Sequence, residues 1–173
     1  KACVVGGSGF MGSHVCDHLS DHGHKVRIFD KMESTWRHPD QEMIIGDILH
    51  PDHLLSAIDN QDVVFNFAGL SDLEQGLKDP AAAANLNIIG NINVLNACRE
   101  ASVKRYVYAS TVYVHSQHGG FYRCSKQAAE QFIEEFQKSY GLDFTILRYG
   151  SLYGPRSDNH NGLFRVVRDA LMN

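Results

Sequence analysis

The sequence predicts an α/β protein built on a doubly wound parallel sheet, and three observations carry that reading. Strand-like and helix-like segments alternate along all 173 residues, the pattern that yields parallel strands joined by right-handed crossovers. The strand centres are continuous apolar runs such as Val63-Val64-Phe65, as strands buried on both faces require. The first strand runs straight into a glycine-rich turn and a helix, Gly6-Gly7-Ser8-Gly9-Phe10-Met11-Gly12.

The apolar tetrapeptide Ala2-Cys3-Val4-Val5 gives a strand over residues 2–5. Met11, Val15 and Leu19 recur at helical spacing and give a helix over 11–22, which Gly23 ends. The run from Lys25 to Asp30 gives a strand over 25–30, and a third strand covers 43–46. Pro51 suits the first turn of a helix over 51–58, before a fourth strand over 62–68. Asp79 caps and Pro80 opens a helix over 80–101, which carries Leu86, Ile89, Val94 and Leu95. A strand over 105–109 leads to a helix over 122–140 that carries Phe132, Ile133 and Phe136 and stops at Gly141. A strand over 143–148 and a helix over 162–172 complete the pattern.

Bulk composition excludes several classes. Hydrophobic residues make up 43% of the chain and charged residues 21%, ordinary values for one globular domain with a sizeable core. A net charge of −4 leaves no basic footprint for nucleic acid. No apolar run is long enough to cross a membrane. Cys3, Cys16, Cys98 and Cys124 form no C-x-x-C pair, and each falls in a predicted strand or helix. They read as core thiols of a reducing compartment, which points to the cytoplasm. The chain lacks an initiator Met and stops just after the last predicted helix, so it is expected to be the N-terminal part of a longer protein.

The glycine loop lies between a strand and a helix, where its backbone can approach a pyrophosphate and the helix N-terminus can face the phosphates. Gly6, Gly9 and Gly12 fit the G-x-x-G-x-x-G form of the dinucleotide loop. Asp30 ends the second strand at the spacing of a ribose-binding carboxylate. A carboxylate there accepts from both ribose hydroxyls and repels a 2′-phosphate, so NAD is expected rather than NADP, although Lys31 follows at once. Asp47 ends the third strand, where it could accept from an adenine amino group while Ile48 packs on the ring; capping a helix is the plainer alternative. Phe67, Ala68 and Gly69 follow the fourth strand, and small residues there let backbone lie close to a ligand. Phe10, Met11 and Tyr149 complete the candidate cofactor contacts.

Tyr122 and Lys126 stand four residues apart at the start of a helix, on one face. A free phenol has a pKa of about 10, too high for a base at neutral pH. A neighbouring ammonium favours the phenolate and makes the Tyr a usable acid/base for an alcohol proton. The fifth strand ends in Tyr108-Ala109-Ser110-Thr111, so a hydroxyl at Thr111 could bind the same substrate oxygen.

These segments resemble the extended short-chain dehydrogenase/reductase family, the nucleotide-sugar epimerases and dehydratases. The likeness covers nearly the whole chain. Besides the glycine loop and the Tyr122–Lys126 pair, Asn87-Ile88-Ile89-Gly90-Asn91 is similar to the family's N-x-x-G-T segment. Arg148 to Arg156 is similar to its R-x-x-x-x-Y-G-P-R stretch. The resemblance implies a Rossmann fold, tightly held NAD, a nucleotide-sugar substrate and a smaller C-terminal substrate domain mostly beyond residue 173. It also implies catalytic roles for Thr111, Tyr122 and Lys126, and a homodimer formed through the two long helices, whose apolar residues occupy more than one face.

Two departures matter. Val112 and Tyr113 occupy the places where 4,6-dehydratases of the family carry Asp and Glu. Elimination is therefore disfavoured, and so is decarboxylation. The loop from Ser116 to Phe121 is shorter than the family's, which should open the site. His14, His18 and His22 share a helix face and read as solvated rather than as a metal site. His115, His118 and Arg156 are candidates for substrate contact. The resulting expectation is an NAD-dependent epimerase acting at C4 of a UDP-hexose. A reductase on the same scaffold and a non-enzymatic dinucleotide sensor are the rival readings.

Overall fold

The computed structural model describes residues 1–159 and 161–172. Six strands are present among them: β1 (Ala2–Val5), β2 (Val26–Asp30), β3 (Glu42–Ile45), β4 (Val63–Asn66), β5 (Arg105–Thr111) and β6 (Phe144–Tyr149). The α-helices are α1 (Phe10–Asp21), α2 (Pro51–Ile58), α3 (Leu73–Lys78), α4 (Pro80–Ala84), α5 (Gly90–Glu100), α6 (Gly120–Tyr140) and α7 (Gly162–Met172). The strands form one sheet in the order β3-β2-β1-β4-β5-β6, every pair parallel. This is a Rossmann-type doubly wound sheet. Its order reverses between β1 and β4, so their C-terminal ends flank the crevice in which such sheets bind ligands.

Side chains alternate across β1 and divide the core. Cys3 and Val5 join Leu54 and Ile58 of α2, Val94 and Cys98 of α5, and Ile133 and Phe136 of α6. Val4 faces the other way and packs with Cys16 of α1 and with Val26 and Ile28 of β2. Three helices thus cover one face, and α1 covers the glycine-loop end of the other.

Most boundaries shift by a residue or two from expectation, and three differences are physical. The helix expected over 80–101 is interrupted by a π-helical turn at Asn85–Ile89. There the buried Asn87 carboxamide donates to the Leu70 carbonyl (2.9 Å) and accepts from the Leu70 N–H (2.8 Å), tying the turn to the loop after β4. That loop leaves the sheet after Asn66, whose Oδ1 accepts from the Ala68 N–H at 3.1 Å, so the strand expected to reach residue 68 ends early. The same loop leads into α3, which was not expected and is capped by Asp72 accepting from the Glu74 and Gln75 N–H groups.

The cysteines divide as well. Cys3, Cys16 and Cys98 are buried free thiols, and burial pushes Cys3 and Cys16 up to about 12. Cys124 is exposed on α6 and is not a core thiol. No described helix is long and apolar enough to cross a membrane.

Candidate active site

The turn between β1 and α1 is shaped by close backbone approaches. Gly6 has φ +79°, and a Cβ there would lie 2.5 Å from the Ala68 amide nitrogen. A Cβ on Gly12 would overlap the Gly6 carbonyl oxygen. Only glycine fits either position. Gly9 begins α1 without a side-chain cap, so the start of the helix is open to an incoming anion. Asp30 then fixes the loop to the end of β2. Its two carboxylate oxygens accept from the Ser8 N–H (3.0 Å) and the Met32 N–H (3.3 Å), while the Ser8 hydroxyl donates to the Met32 carbonyl at 2.8 Å.

Two adjoining cavities open at this end of the sheet. The larger, of about 650 Å³, has Gly6, Gly9, Phe10, Met11 and Gly12 on one side and Thr111, Tyr122, Lys126 and Tyr149 on the other. The smaller, of about 270 Å³, is lined by Asp30, Lys31, Ile48, Ala68 and Leu86. Phe67 and Gly69 line both. A crevice that pairs a phosphate cradle with an apolar pocket beside a carboxylate fits a dinucleotide in shape and chemistry.

Asp47 is the one expected cofactor residue that lines neither cavity. Its Oδ1 accepts from the Leu49 N–H at 2.9 Å and its Oδ2 pairs with Lys31 at 3.0 Å. Burial works against the ionised form, but these two partners outweigh it and hold the carboxyl below its ordinary value. Nor does Asp47 cap α2, whose N-cap is His50. Ile48 does reach the cavity, held by Asn93, which donates to its carbonyl at 2.9 Å.

Thr111 ends β5 and Tyr122 lies in the first turn of α6, and both line the larger cavity. Burial pushes the Tyr122 phenol up, the neighbouring Thr111 hydroxyl pulls it down, and Tyr113, edge-on at 6.5 Å between ring centroids, raises it again; the net shift is upward. Lys126 lies one turn further along α6, buried at 6% exposure. Its Nζ donates to the Ala109 carbonyl (2.8 Å) and the Tyr108 hydroxyl (3.1 Å), and sits 5.9 Å from the Tyr122 ring centroid. Burial pulls the amine down to about 7, against the opposing charge of Glu130. The expectation that Lys126 lowers the Tyr122 pKa needs correction for the protein alone. Thr111 exerts the downward pull, because Lys126 is only partly charged at neutral pH and directs its protons at Ala109 and Tyr108.

Behind this pair lies a network that sequence reasoning missed. Glu130 is buried and accepts from the Ser110 hydroxyl and from Arg148 Nη2 (2.7 Å) and Nε (3.1 Å). The signal existed: Tyr122, Lys126 and Glu130 recur every four residues on one helix face. Asn87 donates to the Ser125 hydroxyl at 2.9 Å, bracing α6 one residue from Lys126.

Other candidates fall elsewhere. His115 and His118 are exposed and line neither cavity. Their short loop is held against α6 by Arg123, which donates to the Ser116 carbonyl (2.9 Å), and by Gln127, which donates to the Val114 carbonyl (2.8 Å). Arg156 does not face the cavity. Its guanidinium pairs with Asp17 at 2.6 Å and lies 4.7 Å over the Trp36 ring, fastening the segment after β6 to α1. His14 bonds the Pro155 carbonyl at 2.9 Å, so that helix face is only partly solvated.

The sequence profile of the NAD dependent epimerase/dehydratase family matches residues 2–173. A UDP-glucose 4-epimerase from Mycolicibacterium smegmatis is 26% identical over 99% of this chain, which covers 63% of that protein. The fold is similar to the crystal structure of Thermus thermophilus UDP-glucose 4-epimerase in complex with NAD, with a TM-score of 0.88 and 28% identity over 98% of this chain and 61% of that one. It is likewise similar to the UDP-glucose 4-epimerase of Thermotoga maritima with UDP-glucose, with a TM-score of 0.89 and 26% identity over 95% and 60% of the two chains. The chain spans about three fifths of the length of the curated relatives it matches.

Proposed function

Because the chain belongs to the NAD dependent epimerase/dehydratase family, we propose that the complete protein is a nucleotide-sugar epimerase, acting at C4 of a UDP-hexose through a transient 4-keto sugar. One observation carries this reading: Thr111, Tyr122 and Lys126 line a single cavity with the glycine cradle. The relatives that bind NAD or UDP-glucose lend the choice of ligands.

NAD fits the residues present. The glycine cradle and the start of α1 would hold its pyrophosphate, Asp30 its ribose hydroxyls, and Ile48 with Leu86 its adenine side. The Asp30 carboxylate would repel a 2′-phosphate, and the Lys31 charge beside it is paired with Asp47 at 3.0 Å, which favours NAD over NADP. Bound NAD supplies reversible two-electron oxidation of the sugar carbon. The chain's own residues move the proton. Tyr122 accepts it from the sugar hydroxyl, Thr111 orients that hydroxyl, and Lys126 binds the neighbouring ribose and stabilises the phenolate once charged. Val112 and Tyr113 offer no carboxyl to protonate a leaving hydroxyl, which supports epimerisation over elimination.

The same reading gives the complete protein a smaller substrate domain. The exposed apolar face of α7, with Val166, Leu171 and Met172, supports it. It also gives a homodimer paired through the 80–100 helical segment and α6, where Ile89 of the first and Phe132 and Tyr140 of the second are exposed. The test is Tyr122→Phe in the full-length protein. Turnover of a UDP-hexose should fall by about 10²–10⁴-fold, with the amount of bound NAD unchanged. A variant that keeps turnover within a few-fold of wild type would sink the mechanism.

A further inference from the structure

The phenol of Tyr108 takes no part in the chemistry above, yet it lies directly against Lys126. It is 1% exposed on β5, with its hydroxyl 3.1 Å from Lys126 Nζ and its ring centroid 4.5 Å from the same nitrogen. We propose that Tyr108 is a positioning residue for Lys126, its hydroxyl and ring face together holding the ammonium group in the floor of the cavity. This rests on the role given to Lys126 above. An ammonium has three N–H donors. Two are directed at Tyr108 and Ala109. The third is left for the cavity that Lys126 lines, where a ribose hydroxyl would meet it.

The hydroxyl also sets which form of Lys126 is favoured. It can accept from the ammonium or donate to the neutral amine. The first bond is charge-assisted and the stronger, and the ring face attracts only the cation. Tyr108 therefore opposes the effect of burial on Lys126. The other groups around it cannot replace this. Glu130, on the same helix, is committed to Ser110 and Arg148 and acts through its charge alone. Tyr122 keeps its ring centroid 5.9 Å from Lys126 Nζ, farther than that of Tyr108. Tyr106, stacked beside Tyr108 at 6.2 Å, gives its hydroxyl to Asn91. Tyr149, Asp72 and Glu74 line the same cavity from β6 and the α3 side.

The test is Tyr108→Phe, which keeps the ring and removes the hydroxyl, in the full-length protein. Nitrogen-15 NMR of the Lys126 side chain in the NAD-loaded protein should show its titration midpoint lowered by about one unit. The alkaline limb of kcat for a UDP-hexose should move down by the same amount, with KM unchanged. An unmoved midpoint overturns the proposal even if turnover falls, since a purely structural loss would leave Lys126 titrating as before. If the wild type proves to have no epimerase activity, the functional reading fails while the NMR midpoint still decides the role of Tyr108. Should Tyr108→Phe fail to fold, 3-fluorotyrosine at position 108, a weaker acceptor of the same shape, must lower the midpoint; no shift again overturns the proposal.

Discussion

The glycine cradle and the catalytic floor line one cavity but are built from different materials. The cradle is backbone: Gly6 and Gly12 bring main chain against main chain, and Asp30 secures the loop through N–H groups. The floor is a run of side chains, from Thr111 and Tyr122 through the buried Lys126, Tyr108 and Glu130 to the partly exposed Arg148. A backbone site has no slack, because an added atom meets another main-chain atom that cannot rotate away. A side-chain network loses its members one at a time, so its failures are graded.

That contrast makes its strongest prediction at Gly12. In Gly12→Val the new Cβ overlaps the Gly6 carbonyl, α1 must move, and NAD affinity should fall by more than about 100-fold. Gly9→Ala is the control. Its Cβ would stand 3.4 Å from the same oxygen, and its affinity should stay within about tenfold of wild type. Isothermal titration with NAD reads both, and equal losses would show that the loop is not shaped by contact. The floor should respond less abruptly. Glu130→Ala orphans the Ser110 hydroxyl and frees Arg148, whose side chain is already 39% exposed and can turn to water. Breaking a fully buried pair costs about 3–5 kcal/mol, so about 2–3 kcal/mol is expected here. The midpoint of urea unfolding measures it, and a change under about 0.5 kcal/mol would mean that the network is not structural.

The two regions were also unequally legible in the sequence. A backbone site is written in residue type: the glycine spacing after Ala2–Val5 marks both the turn and its ligand. Apolar runs such as Val63-Val64-Phe65 likewise gave every strand. The floor was legible in Thr111, Tyr122 and Lys126, from the four-residue spacing and the strand-end hydroxyl as well as from the resemblance. The four-residue spacing puts Glu130 on the face of Tyr122 and Lys126 but names neither of its partners, Ser110 and Arg148, which come from other strands, and nothing in the strand sequence sets Tyr108 against Lys126. Nothing in Asn85-Leu86-Asn87-Ile88-Ile89 announces a π turn, because the bonds that favour it go to Leu70 across the chain. Arg156 was misplaced for the same reason: its partner Asp17 lies 139 residues away.

The smallest effect expected is one that only the floor should show. Lys126 is held at about 7 in the folded protein, against 10.5 for a free lysine. Below pH 7 both folded and unfolded chains carry the proton, and the folded state bears the full penalty of a buried charge. Between pH 7 and 10.5 only the unfolded chain binds it, so stability rises with pH across that window. Lys126→Met removes the titration. The stability of wild type relative to Lys126→Met, both without cofactor, should therefore improve by about 2 kcal/mol between pH 6.5 and 8.5. Taking the difference removes the opposing slope of Cys3 and Cys16, whose raised values make the folded state lose ground at alkaline pH in both proteins. Gly9→Ala, a cradle variant, should keep the wild-type slope. Melting temperatures across the pH series decide the matter. If Lys126→Met tracks wild type throughout, Lys126 is not held in a depressed state, and the floor is no more sensitive to protons than the cradle above it.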